Sequence, residues 1–82
     1  MSAFFITFRS VTYAQQAQSH LERKGIGCTL QRTPRWMEER GCGYCLRTSD
    51  GNRAVILLRQ QGLPFRKVYH RAENGNLEEV QL

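Results

Sequence analysis

No stretch of this 82-residue chain is long and apolar enough to cross a membrane, since a helical span needs roughly 20 such residues. The aromatic run near the start, Phe4-Phe5-Ile6, meets Arg9 too soon to make a signal-peptide core, so a cytoplasmic protein is expected. Cysteine is scarce and odd in number, three in all. That count excludes a fully paired secreted framework and leaves free, metal-bound or redox-active thiols. Histidine is scarcer still. His20 and His70 are remote in sequence from Cys42 and Cys45 and form no second ligand pair with them, so neither a four-ligand zinc site nor a thiol–histidine couple is expected. A thiol without a dedicated acid or base suits carrying a group better than hydrolysing one. The chain therefore reads as a carrier or binding protein rather than an enzyme, with no metal and no cofactor.

Acids are the short side of the charge. Seven Asp and Glu face twelve Lys and Arg, a net charge of +5, and the acids are unevenly placed. Residues 1–72 hold every cation and four acids, whereas residues 73–82 hold three acids and no cation. Ten of the twelve cations are arginine, whose planar fork grips phosphate or carboxylate through two hydrogen bonds. A basic face for an anionic or protein partner thus competes with a merely solvated surface. Hydrophobic content of 40% and charged content of 23% fit one small globular domain, placed at residues 1–72, followed by a polar tail over 73–82.

Ala3–Phe8 is short, aromatic and β-branched, a buried strand. Ser10 or Thr12 can cap a helix, Thr12 and Gln15 have capping-box spacing, and Ala14, Ala17 and Leu21 share one helical face. Gly25 stops that helix after Arg23-Lys24. In Ile26–Gln31 the apolar Ile26, Cys28 and Leu30 alternate with Thr29 and Gln31, so Cys28 points inward. His20 on the helix and His70 at a strand end are expected as surface or partly packed residues. Tyr44–Thr48 reads as a third strand. Ser49-Asp50-Gly51-Asn52 is turn and cap chemistry, and Arg53–Gln61 carries Ala54, Leu57 and Leu58 at helical spacing, widened by Val55 and Ile56. Gly62 and Pro64 end that helix, Phe65–His70 is a fourth strand, and Glu73-Asn74-Gly75-Asn76 turns into a loose or hairpinned end. The helix stop Leu21…Gly25-Ile26 is echoed by Leu58…Gly62-Leu63. Two βαβ units in tandem predict an α+β, ferredoxin-like βαββαβ sandwich, with two helices on one face of a four-stranded antiparallel sheet.

That topology makes Thr33–Gly41 an exposed loop joining the second and third strands, longer than a hairpin requires. Around it gather Thr33, Pro34, Arg35, Trp36, Arg40, Gly41, Cys42, Gly43, Cys45 and Arg47. Gly41 and Gly43 bracket Cys42, letting backbone N–H groups turn towards sulfur, and nearby arginines favour thiolate over thiol. Cys42 is therefore the candidate reactive thiol and Cys45 a secondary one. Cys42-Gly43-Tyr44-Cys45 also has dithiol spacing, but the thioredoxin-type motif opens a helix, and this one runs into a strand. Trp36 among arginines can stack a base, which keeps a single-stranded nucleic-acid or protein-binding module as the alternative. An RNA-recognition aromatic pair is not supplied by Tyr44–Arg47.

Phe8-Arg9-Ser10 opening a helix, Gly25-Ile26 before the second strand, Thr33-Pro34-Arg35, Cys42-Gly43 and Leu46-Arg47 together resemble the Se/S carrier-like proteins, small bacterial proteins. The similarity covers about Phe4–Tyr69. It implies a persulfide or perselenide held on the cysteine of the C-G pair, which falls on Cys42. It also implies a donor or acceptor protein as partner. Cys45 is not part of that pattern.

Overall fold

A computed structural model describes residues 3–33, 43–72 and 75–82. The elements run β1 (Ala3–Thr7), α1 (Val11–Arg23), β2 (Cys28–Arg32), β3 (Tyr44–Thr48), α2 (Gly51–Gln61), β4 (Val68–Arg71) and β5 (Leu77–Val80). Every strand pair is antiparallel, and the sheet order is β2-β3-β1-β4-β5. The α+β class holds, but the sheet has five strands, not four. Part of the expected polar tail returns along β4, setting Val80 opposite Val68 and Leu77 opposite Arg71. Leu77 and Val80 are three residues apart and so fall on opposite faces, which is why no alternation announces a strand there. Gly75, with φ of 89°, makes the turn, and the Ala72 N–H donates to the Asn76 carbonyl at 2.8 Å.

Alternation divides the sheet into two unlike faces. Ile6, Leu46 and Val68 join Ala14, Ala17 and Leu21 of α1 and Ala54, Val55 and Leu58 of α2 in the main core. Their strand neighbours Ala3, Phe5 and Cys45 face the other way and form a second, smaller cluster with Tyr69 and Leu77 packed against it. The Arg71 guanidinium lies 5.2 Å from the Phe5 ring centroid on that face.

Both helix stops have the same hydrogen bonds. The Ile26 N–H donates to Leu21 O and the Leu63 N–H to Leu58 O, each at 2.9 Å. Gly25 and Gly62, with φ of 84° and 73°, make the left-handed residue between. The leucine of each echo is core, and the residue after the glycine packs onto that core. The Ser10 hydroxyl caps α1 by accepting from the Tyr13 N–H, so Ser10 and not Thr12 begins the helix. Asp50 caps α2 in the same way, accepting from the Arg53 N–H at 3.4 Å.

Other local expectations are corrected. His20, expected at the surface or partly packed, is buried beside Ala17 and Leu21 on the inner stripe of α1. Cys28 is half-buried, packing on the rim of the main core. Val55 is core but Ile56 is exposed, because successive helical residues lie about 100° apart. Ile26 precedes β2 rather than entering it. The fourth strand begins at Val68, not Phe65, because Thr7 captures the segment before it. The Arg66 N–H donates to Thr7 O at 2.8 Å and the Lys67 N–H to Thr7 Oγ1 at 3.0 Å.

Candidate functional site

Strands β2 and β3 pair from Cys28–Thr48 to Arg32–Tyr44. One further rung follows, where the Thr33 N–H donates to the Gly43 carbonyl at 2.9 Å. The two chain ends that carry residues 34–42 are thus hydrogen-bonded to each other. Pro34, Arg35, Trp36, Arg40, Gly41 and Cys42 lie outside the described residues, so the exposed loop expected over Thr33–Gly41 is described only at its first residue. Thr33 itself is buried.

Four expected site residues can be placed. Gly43 has φ of 81°, a backbone conformation that favours glycine, so the chain enters β3 through a bend that a side chain would strain. Thr33 is 9% exposed, and its Oγ1 is buried with no hydrogen-bond partner among the described residues. A buried hydroxyl in that state costs about 1–3 kcal/mol, so its retention calls for a reason. Cys45 is fully buried with Ala3 and Phe5 on the face away from the helices. Arg47 is exposed on β3, paired in register with Phe5 and Thr29, roughly 10 Å along the strand from Tyr44. There it lines a cleft with Glu22 and Cys28 at the opposite end of the sheet from Gly43.

Burial pushes the Cys28 thiol above its ordinary pKa of 9.0, and the charge of Glu22 adds to the shift. Its Sγ lies 3.9 Å from the Gln18 carbonyl, within reach of a weak hydrogen bond. A thiol so placed stays protonated at neutral pH and is a poor nucleophile.

The end of the sheet holding Thr33 and Gly43 carries further groups. Arg32 stacks on Tyr44 across the strands, its guanidinium carbon 5.6 Å from the ring centroid. Thr7 pairs with Cys45, so Phe8 and Arg9 leave β1 where Gly43 enters β3, and Arg66 is bonded to Thr7 beside them. Arg32, Arg9 and Arg66 were not among the expected site residues. Arg9 stands within Phe8-Arg9-Ser10 and could have been taken from there, whereas nothing local marks Arg66. Among the described residues, no three His, Cys, Asp or Glu side chains gather as metal ligands, and no helix is long and apolar enough to cross a membrane.

A family model described as "Putative Se/S carrier protein-like" matches residues 3–70. No curated protein and no solved structure matches the chain. The matched span runs from β1 into β4, taking in both helix stops, the closing rung at Thr33 and Gly43, and all three cysteines. On that span the chain belongs to the Se/S carrier protein-like family.

Proposed function

We propose that the protein carries sulfur or selenium as a persulfide or perselenide on Cys42 and passes it to a partner protein. The observation that carries this reading is the family match over residues 3–70, which includes the Thr33-Pro34-Arg35 and Cys42-Gly43 pairings. In the loading step, the Cys42 thiolate attacks the outer sulfur of a donor persulfide. A new S–S bond forms on Cys42, the donor's S–S bond breaks, and the electron pair leaves with the donor thiolate. No net oxidation occurs, and unloading to an acceptor thiolate is the same step in reverse.

The surroundings of the other cysteines support this division of labour. Cys28 is held protonated, and Cys45 is seated in a packed cluster, as befits a structural residue more than a redox partner. The strand order β2-β3-β1-β4, with both helices packed into one core, supports reading the scaffold as ferredoxin-like with β5 appended. The nucleic-acid alternative is weakened by Phe5, the aromatic at the middle of the open face, which is 2% exposed and covered by Arg71. A base has no free ring to stack on at that position.

Treating the protein with glutathione persulfide, then locating the added sulfur by peptide mass spectrometry, tests the proposal. Cys42→Ser is expected to abolish loading and Cys28→Ser to leave it intact. Loading that persists in Cys42→Ser overturns the assignment.

A further inference from the structure

The sheet end that bears Thr33 and Gly43 holds a cavity that the carrier reading does not use. Arg9, Tyr13, Pro64, Phe65 and Arg66 line it, and its volume is about 130 Å³. It brings together two guanidinium groups, a phenol and the apolar rings of Pro64 and Phe65. The Arg9 and Arg66 side chains meet no carboxylate and no hydrogen-bond acceptor among the described residues. Beside them Arg59 lies over the Phe65 ring at 5.6 Å, so a third cation adds to the patch without neutralising it. The neighbouring Lys67 is matched by Glu79 at 3.6 Å, the one ion pair between described residues. The cleft at the far end of the sheet differs, since Glu22 stands in it with Arg47.

We propose that this cavity binds a small oxyanion, the charged headgroup of an anionic sulfur or selenium donor. Only the identity of the donor rests on the carrier reading; the anion site rests on the cavity. Arginines in a recess that meet no carboxylate among the described residues attract anions, and guanidinium forks match the geometry of sulfonate, sulfate and phosphate oxygens. The size selects further. At about 130 Å³ the cavity has room for a few waters or one tetrahedral oxyanion. Its position is what links it to the site, because Arg9 follows the strand whose Thr7 pairs with Cys45, two residues from Gly43.

The test uses full-length, isotope-labelled protein carrying Cys42→Ser, so that no loading accompanies binding. Thiosulfate, and in a second titration sulfate, is added at constant ionic strength while backbone amide resonances are followed. Saturable shifts at Arg9, Tyr13, Phe65 and Arg66 are expected with both anions, because they share the headgroup. Arg9→Gln and Arg66→Gln are each expected to weaken binding about tenfold, the loss of one charge-assisted hydrogen bond. Lys67→Gln is expected to leave it unchanged, and all three side chains are partly or fully exposed, so the fold is expected to persist. Shifts that never saturate, or that spread equally to Arg23 and Arg53, overturn the proposal. So does a Glu-rich peptide that saturates the same amides at concentrations far below thiosulfate, which reassigns the patch to a protein partner. Binding of thiosulfate without persulfide loading of the unsubstituted protein refutes the carrier reading alone. Loading on Cys42 without anion binding refutes the oxyanion site alone.

Discussion

The Thr33 amide donates to the Gly43 carbonyl at 2.9 Å, while the Thr33 hydroxyl, on the same residue, is buried with no hydrogen-bond partner among the described residues. The backbone of Thr33 therefore closes the ladder, and its side chain contributes nothing visible to holding the fold. Replacing an orphaned hydroxyl by a methyl of equal shape removes a desolvation penalty of about 1–3 kcal/mol. Thr33→Val is expected to keep or raise the melting temperature and to slow persulfide loading. Thermal unfolding and a loading time course check the two halves. Unchanged loading would assign Thr33 to structure alone.

Cys45 makes the opposite prediction. Its side chain is fully buried with Ala3 and Phe5, so Cys45→Ser puts a hydroxyl into an apolar cluster. A loss of about 1–3 kcal/mol is expected, and each kcal/mol lowers the melting temperature of a domain this size by about 4–8 °C. In the native protein Cys45 is expected to react with a bulky alkylating reagent only on unfolding. Rapid labelling under native conditions would show that the cluster opens.

Two glycines, Gly51 at the start of α2 and Gly62 at its C-cap, separate strain from crowding. Gly62 has a positive φ and open space where a Cβ would stand, so Gly62→Ala is expected to cost about 1 kcal/mol through the backbone alone. Gly51 has the Phe4 ring where its Cβ would go, and Gly51→Ala is expected to cost about 1–3 kcal/mol by overpacking. Chemical denaturation of the double variant Gly51→Ala with Phe4→Ala, which removes the two ring atoms nearest the added Cβ, decides the mechanism. The cost of the alanine is expected to shrink once the ring is gone, whereas Gly62→Ala costs the same in either background.

These contrasts show how much the chain announces locally. The echoed helix stops are legible because a Gly-based cap with its flanking apolar residues lies within six consecutive positions, and both appear with the same hydrogen bonds. β3 is legible at its full extent, Tyr44–Thr48. β5 is not, since its strength comes from pairing with β4 and its two apolar residues serve different faces. His20 misleads because its burial follows from its place on the α1 stripe with Ala17 and Leu21, not from its own polarity. At the site, sequence identifies the strand ends and the glycine bend. It cannot bring Arg9 and Arg66 together, because the pairing of β1 with β4 and the hydrogen bonds at Thr7 do that.

Cys28 sets a dependence on pH. Burial first, and the Glu22 charge second, raise its thiol pKa above 9.0. A raised acid favours the folded state in full while the thiol is protonated in both states, below the unfolded pKa. That contribution disappears as pH rises through the folded pKa. Stability is therefore expected to fall above about pH 9 more steeply in the native sequence than in Cys28→Ser. Urea midpoints between pH 7 and 10 measure the difference. Glu22→Gln is expected to return only part of the shift, because burial is its larger cause.

The rung between Thr33 and Gly43 also governs how the chain tolerates a change of length. One residue inserted within Tyr44–Thr48 would exchange the faces of Cys45 and Leu46, emptying both clusters at once. Residues added between Thr33 and Gly43 meet no such parity rule, and doubling that connection costs only roughly 0.6 kcal/mol of closure entropy. Changes of length therefore have their room between Arg35 and Cys42, clear of the residues that carry the family resemblance, while the strands on either side must keep their count.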